Sequence, residues 1–395
     1  MPRYRLQPSL AQEATLRQHC AHARFVWNLA VEQQSWWRPG RRSAPGYLEQ
    51  CRQLTQARGE NPWLAAGSQV VQQQALRDFD QAMRNFFRGT HRRPGWRKAG
   101  RDEGFRVVGR SSGPRPTWGV RRLSRHVGEV KIPKVGWVRF RWSRDVPSSV
   151  KSFRVKMDRA GRWHIAFAAF QEPVAAPGTG DVVGVDRGVA VSAALSTGEM
   201  LMAPRLTMAR QARLKRLQRK LSRAKRGSNR RAGTKLAIAR LKARETDARK
   251  DWCEKVSTDL ARRFDVIRVE DLKVRNMTRT AKGTAEQPGR NVRQKAGLNR
   301  EIMHSGWGLL VRRLEDKAPG RVEKVNPRMT SQRCSRCGHI ASENRESQAV
   351  FRCTACDHSE NADVNAAKNI AAGHAVNARG GDRVAGPANR EPQAA

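Results

Sequence analysis

The apolar positions change period along the chain, and each change marks a boundary. Residues 3–8 alternate like a short strand, and residues 10–37 then follow helical spacing. Leu16, Cys20, Ala23 and Trp27 recur at intervals of four, three and four, which makes one apolar face. A loop rich in Arg, Pro and Gly follows. Ser68 is placed to cap a second helix, whose face carries Leu76, Phe79, Met83 and Phe86. Residues 90–104 are basic and broken by Pro94 and Gly95, as in a loop that orders on binding.

From about Glu129 the period becomes two. Residues 129–142 alternate around Val130, Ile132 and Val138, while 150–157 and 163–170 flank the hairpin turn Asp158-Arg-Ala-Gly161. With the N-terminal strand, these segments predict a small β-barrel carrying a helical insertion, over residues 1–178. At Asp181 a buried-strand pattern takes over, Asp181-Val-Val-Gly-Val-Asp186, and a second strand over 189–197 turns at Gly198. Residues 204–250 predict two helices, around Leu214, Leu217 and Leu221 and around Leu236 and Leu241, joined near Gly227-Ser-Asn and Gly233. There follow a strand at 266–269, a mobile loop over 273–300, a helix over 301–314 and a strand at 322–325. The small, polar residues from Asn377 onward read as a disordered tail.

Charge narrows the function. The 395 residues hold 78 Lys and Arg against 35 Asp and Glu, a formal net charge of +43. Self-repulsion of that size favours a polyanionic partner, and charge this dense points to nucleic acid more than to membrane. A basic ribosomal or chromatin-like protein would share it. Residues 204–250 are the most lopsided, with 18 basic residues against Glu245 and Asp247, so the helical pair reads as a phosphate-contacting surface. The opening MPRYRLQPSL lacks a signal peptide's apolar segment, and no apolar run approaches bilayer length. The expected location is the bacterial or archaeal cytoplasm and nucleoid, with no membrane partner.

Four of the seven cysteines form two tight pairs, Cys334-Ser-Arg-Cys337 and Cys353-Thr-Ala-Cys356, with 15 residues between them. Each CxxC turn brings two thiolates to one side of a metal, and two such turns complete a tetrahedral S₄ zinc site. Gly338 permits the tight turn after the first pair, whereas the second has Asp357 there. His339 and His358 follow a shell already complete. Such a site is structural and does no chemistry. Cys20, Cys51 and Cys253 lack ligand spacing and read as small buried hydrophobes.

Three acids stand out by position. Asp186 and Glu270 each end an apolar strand, and Asp363 lies at the start of the last predicted helix, in Glu360-Asn-Ala-Asp-Val-Asn-Ala-Ala. Acids at strand ends lie on a sheet's rim, where a helix end can join them. Three carboxylates there can hold two Mg²⁺ ions about 3.5–4 Å apart, one activating water and one stabilising the leaving oxygen of a phosphodiester.

The segments around these residues carry a resemblance. Gly184-Val-Asp-Arg-Gly188, Val269-Glu-Asp-Leu272, Val325-Asn-Pro, Thr330-Ser-Gln-Arg-Cys-Ser-Arg-Cys-Gly338 and Asn361-Ala-Asp-Val-Asn-Ala-Ala-Lys-Asn-Ile370 resemble the TnpB (OrfB) family of insertion-sequence proteins, relatives of type V CRISPR effectors. Tyr4-Arg-Leu-Gln-Pro8 and Arg24-Phe-Val-Trp-Asn28 are similar to that family's N-terminus, and the resemblance runs to about residue 376. It implies an α+β multidomain protein: a wedge-like β-barrel over 1–9 and 101–178, a helical recognition insertion over 10–100, a RuvC (RNase H-like) nuclease domain split over 179–329 and 359–376, a zinc ribbon over 330–358, and a tail over 377–395. It further implies Asp186, Glu270 and Asp363 as catalytic Mg²⁺ ligands, with Cys334, Cys337, Cys353 and Cys356 on zinc. The implied partners are a guide RNA from the transposon end and double-stranded target DNA with a short motif beside the guide-matched sequence. The resulting expectation is an RNA-guided, Mg²⁺-dependent DNA endonuclease that supports transposon maintenance. A transposase working without RNA and a nuclease-inactive DNA-binding repressor are the alternatives.

Overall fold

The computed structural model describes residues 3–37, 40, 44–101, 103–109, 116–147, 149–170 and 172–373. The tail expected over 377–395 lies outside the described residues. The chain is α+β and divides into two units, Met1–Gln171 with Leu214–Leu241, and Glu172–Arg213 with Lys242–Ala395. No helix among the described residues is long and apolar enough to cross a membrane.

In the first unit, β1 (Arg3–Gln7) leads into α1 (Leu10–Ser35) through a reciprocal cap. Ser9 Oγ accepts from Gln12 N at 3.3 Å, and Gln12 Oε1 accepts from Ser9 N at 3.1 Å. The helix buries Leu16, Cys20, Ala23 and Trp27, the face its spacing predicted. The segment read as a loop instead contains α2 (Tyr47–Glu60) and α3 (Pro62–Ala65). Only Leu54 of α2 is a fully buried hydrophobe, and Tyr47, Cys51 and Ala57 are partly covered, so its apolar stripe is thin among the polar residues. Part of its packing is amide to amide, with Gln50 Nε2 donating to Gln33 Oε1 at 3.0 Å. Ser68 precedes α4 (Gln69–Phe87) but makes no side-chain cap bond.

The strands β2 (Gly104–Val108), β3 (Gly119–Arg122), β4 (Val127–Ile132), β5 (Gly136–Arg141), β6 (Ser152–Met157) and β7 (Trp163–Ala168) join β1 in an antiparallel sheet of order β2-β6-β7-β1-β5-β4-β3. The stretch 129–142, read as one alternating run, is part of a hairpin, turned through positive φ at Lys134 (60°) and Gly136 (84°). β1 pairs with both β5 and β7, so the N-terminal strand unites the two halves. Among the described residues the ladder stays open between β2 and β3, where a closed barrel would pair them. Side chains bring the two ends together. Trp118 Nε1 donates to Gly109 O at 3.1 Å, and the Trp118 ring packs on Phe153 and Phe167.

The second unit is built on β8 (Val182–Asp186), β9 (Ala193–Leu195) and β10 (Met200–Leu201). After these come α5 (Met208–Arg223) and α6 (Asn229–Arg263), whose residues are divided between the units, and then β11 (Val266–Glu270). Gly233, expected at a break, lies inside α6, and the chain turns at Gly227 alone, with φ 83°. The predicted loop over 273–300 holds α7 (Val274–Met277) and the start of α8 (Val292–Ser305). α8 buries only Ile302 and Ser305, too few apolar positions to show a period. Gly306, at φ 72°, separates α8 from α9 (Trp307–Lys317), so the single helix expected over 301–314 is two. β12 (Val322–Val325) completes a sheet of order β10-β9-β8-β11-β12, with β8, β11 and β12 parallel. The short pair β13 (Val350–Arg352) and β14 (Ser359–Asn361) leads into α10 (Ala362–Ala372), capped by Asn361 Oδ1.

Candidate active site and metal centre

The sheet register places the first two acids. Val266 to Val269 of β11 lie opposite Val182 to Val185 of β8, so the next step sets Glu270 beside Asp186. The third acid arrives with α10, and a glycine decides how closely. A Cβ on Gly184 would fall 2.0 Å from Ala367 O and 2.5 Å from Ala371 N, so the helix backbone rests directly on the strand. Asp363, Ala367 and Ala371 share one helix face. Asp363 lies one turn, about 6 Å, before Ala367, and Asp186 lies about 6.6 Å beyond Gly184 along the strand. With the helix running against β8, the Gly184 contact delivers Asp363 to Asp186.

The electrostatics agree with that placement. Burial, reinforced by the charges of Glu270 and Asp363, pushes the Asp186 carboxyl up to about 7, against the opposing effect of Arg345. Burial also raises Glu270, opposed by the Thr330 hydroxyl 2.9 Å from Oε1 and by Arg187. Asp363 is raised by burial and held back by Arg345, whose Nη2 is 3.7 Å from Oδ1. Arg187 is buried, its guanidinium donates to Glu270 O, and burial lowers its own pKa. Three mutually repelling, poorly solvated carboxylates suit hard divalent cations, which would relieve the repulsion. Their oxygens do not all approach within 4.8 Å of one another, as the four cysteine Sγ atoms do. A two-ion centre spans more than a one-ion centre does.

The four thiols are the tighter cluster. All four Sγ atoms lie within 4.8 Å of one another, with Cys334–Cys356 at 3.7 Å and Cys337–Cys353 at 3.5 Å. Tetrahedral zinc at about 2.3 Å from each sulfur requires S···S edges of about 3.8 Å, so the donor set fits. The two turns repeat one geometry. Gly338 N donates to Cys334 O and Asp357 N to Cys353 O, at 3.0 and 3.1 Å, with φ 80° at Gly338 and 53° at Asp357. Asp357 therefore takes the left-handed role that glycine has in the first turn. Stripping the metal, or Cys353→Ser, is expected to loosen residues 330–358 while the sheet of the first unit stays folded, as hydrogen exchange would show. Purified protein carrying far less than one zinc per chain would refute the S₄ assignment.

Of the remaining cysteines, Cys20 and Cys253 are fully buried, and burial pushes their thiols up to about 12 and about 11. Neither is a nucleophile at neutral pH. Arg187, Thr330 and Arg345 had no assigned role from the sequence, because what marks them is proximity to the acids. The basic pair α5–α6 has a groove of about 620 Å³ lined by Arg216, Arg219, Lys220, Arg223, Lys225 and Arg230. Arg231 is committed elsewhere, donating to Leu221 O and Ala224 O across the turn. A second basic cleft, of about 670 Å³, gathers Arg122, Arg125, Arg141 and Arg144 around Trp142.

Family profiles match three segments. One described as "Probable transposase" covers residues 153–281, and one described as "Cas12f1-like, TNB domain" covers 307–370. A third, "Helix-turn-helix domain", covers 2–42, where the described residues form β1 and the single long helix α1. In Escherichia coli (strain K12), the "Putative RNA-guided DNA endonuclease InsQ" is 38% identical over 386 residues, spanning 96% of this chain and 93% of that one. The chain belongs to the TnpB (OrfB) family. A further relative of this TnpB-family chain, the "Putative RNA-guided DNA endonuclease" of Streptomyces pristinaespiralis, is 32% identical over 390 residues, 96% of this chain and 90% of that one. Among solved structures, the "Cryo-EM structure of the Cas12f1-sgRNA-target DNA complex" shares the fold at TM-score 0.54 and 15% identity, over 91% of this chain and 83% of that one.

Proposed function

We propose that this TnpB-family chain is an RNA-guided, Mg²⁺-dependent DNA endonuclease of an insertion sequence. The observation that carries the reading is the convergence of Asp186, Glu270 and Asp363 at one end of the five-stranded sheet. Asp186, Glu270 and Asp363 would hold divalent cations that, when bound, activate water and stabilise the leaving oxygen of a DNA phosphodiester. Thr330 fixes the Glu270 carboxylate, and Arg187 and Arg345 offset the acids' charge. The sheet order supports a RuvC (RNase H-like) domain over 179–329 and 359–376, with a zinc ribbon over 330–358. A wedge-like module over 1–9 and 101–178 and a recognition insertion over 10–100 read the short motif beside the target. The guide RNA comes from the transposon end, and cutting supports the element's maintenance.

Base pairing chooses the DNA in such an enzyme, while the protein grips phosphates. RNA-loaded protein should therefore cut matched targets only, and should follow any change of guide. Replacing Arg216, Arg219, Arg223 and Arg230 should weaken RNA binding at physiological salt and flatten the log–log salt slope by about 3, roughly 0.7–0.9 per phosphate contact. Arg231 is left out of that set because it closes the helical turn. Equal, sequence-indifferent cutting with and without RNA would leave a basic nuclease or a transposase, and the guided mechanism would fall.

A further inference from the structure

Three buried asparagines link the cysteine site to the acids. Asn344, Asn365 and Asn369 are 0%, 0% and 2% exposed. A buried amide costs free energy unless its groups are bonded, and on a short helix Ala or Leu would pack without that cost. Asn365 and Asn369 stand one turn apart, on the side of α10 away from Ala367 and Ala371. Asn365 Oδ1 accepts from Ser335 N at 2.9 Å, and its Nδ2 donates to Arg333 O at 2.8 Å. Asn369 Nδ2 donates to Arg333 O at 2.7 Å and to Thr330 O at 3.0 Å. Arg333 and Ser335 flank Cys334, and the Thr330 hydroxyl holds Glu270.

Asn344 joins the two cysteine turns in the same way. Its Nδ2 donates to Gln332 O at 2.9 Å, and its Oδ1 accepts from Thr354 N at 2.9 Å. The next residue, Arg345, faces Asp363. The helix bearing Asp363 is thus clamped, by Gly184 of β8 on one side and by the first cysteine turn on the other. That second jaw is irregular backbone, whose order a metal held by the four thiols would supply.

We propose that Asn344, Asn365 and Asn369 are positioning residues through which the filled cysteine site sets the geometry of the acid centre. The inference rests on the metal-dependent nuclease reading for what that centre does. Losing the thiol-bound metal releases the backbone around Cys334, frees α10 to shift on β8, and slackens the hold on Asp363, Thr330 and Glu270. Guided target binding persists, because basic residues outside the clamp carry it.

The test uses Asn369→Leu, close in shape but unable to donate, beside Thr330→Val and Thr330→Ser, in the full-length chain. Three quantities are measured: zinc content, Mn²⁺ affinity of the RNA-free protein by electron paramagnetic resonance, and cleavage rate against target affinity with RNA bound. Asn369→Leu and Thr330→Val should keep one zinc and wild-type target affinity, yet lose Mn²⁺ affinity and cleavage rate together, by roughly 10–100-fold as for outer-shell partners of metal ligands. Thr330→Ser should restore both. Chelating zinc from the wild type should weaken Mn²⁺ binding by a similar factor. Unchanged Mn²⁺ affinity in Asn369→Leu, or activity lost only in proportion to zinc, would overturn the proposal. Should the wild type fail to cut under guidance while Mn²⁺ affinity still falls in these variants, the positioning role stands and the nuclease reading fails.

Discussion

Asp186→Ala is expected to reduce guided cleavage by about 10³-fold while leaving guided target binding nearly unchanged. The carboxylate would anchor cations that stabilise the transition state by several kcal/mol, and each 1.4 kcal/mol is a factor of ten in rate. Few other contacts depend on it, since Asp186 is the last residue of a strand held mainly by its neighbours in the sheet. The same substitution should not lower the melting temperature of metal-free protein. It removes a charge that burial, Glu270 and Asp363 all disfavour, so a small rise is expected. Cleavage assays, target-binding titrations and thermal melts on the same preparation separate these effects. Wild-type cutting by the variant would place the catalytic centre elsewhere.

Gly184→Ala, which touches no charged group, should have the next largest effect on cleavage. The added methyl would stand 2.0 Å from Ala367 O and 2.5 Å from Ala371 N, both backbone atoms of α10. No rotamer can relieve that clash, so the helix must move. Val183 and Val185 on either side are fully buried, which leaves the strand little freedom to yield in its place. Overpacking of this kind costs roughly 1–3 kcal/mol, and each kcal/mol lowers the melting temperature by about 2–4 °C in a protein of 150–250 residues. Displacing Asp363 by about 1 Å is expected to cost about 10²-fold in cleavage. Zinc content and RNA binding should stay at wild-type values. Unchanged melting and cleavage would mean that α10 is not held against β8 by this contact.

Several elements were legible because their signal is local. The α1 face of Leu16, Cys20, Ala23 and Trp27 shows helical period, and the hairpin at Asp158–Gly161 carries its own turn chemistry. The two CxxC pairs name a metal site because ligand spacing within a turn fixes where the thiolates point. By contrast, the sequence pattern predicts loops at α2 and at residues 292–300 of α8. Each buries few apolar side chains, so hydrophobic periodicity could not reveal them, and contacts supplied from elsewhere in the fold stabilise them. Gly233 and Gly306 look alike in sequence, yet one continues a helix and the other ends one at positive φ.

The sequence alone determined a strongly basic chain whose charge points to nucleic acid, with four cysteines at metal-ligand spacing and three acids at the ends of predicted elements. Ligand spacing, charge and strand pattern are properties of short segments, so they survive reading along one dimension. Only the tertiary structure decided that Glu270 stands in register beside Asp186, that Gly184 admits α10 to the strand, and that Arg187, Thr330 and Arg345 act on the acids. The same holds for the asparagines that bind the cysteine turns to that helix. These relations join residues well separated in the chain, such as Ser335 with Asn365, 30 positions apart, and Arg187 with Glu270, 83 apart. Their physical basis is close approach in a low-dielectric interior, where a missing Cβ or one hydroxyl shifts a carboxylate, and no local pattern encodes such a distance.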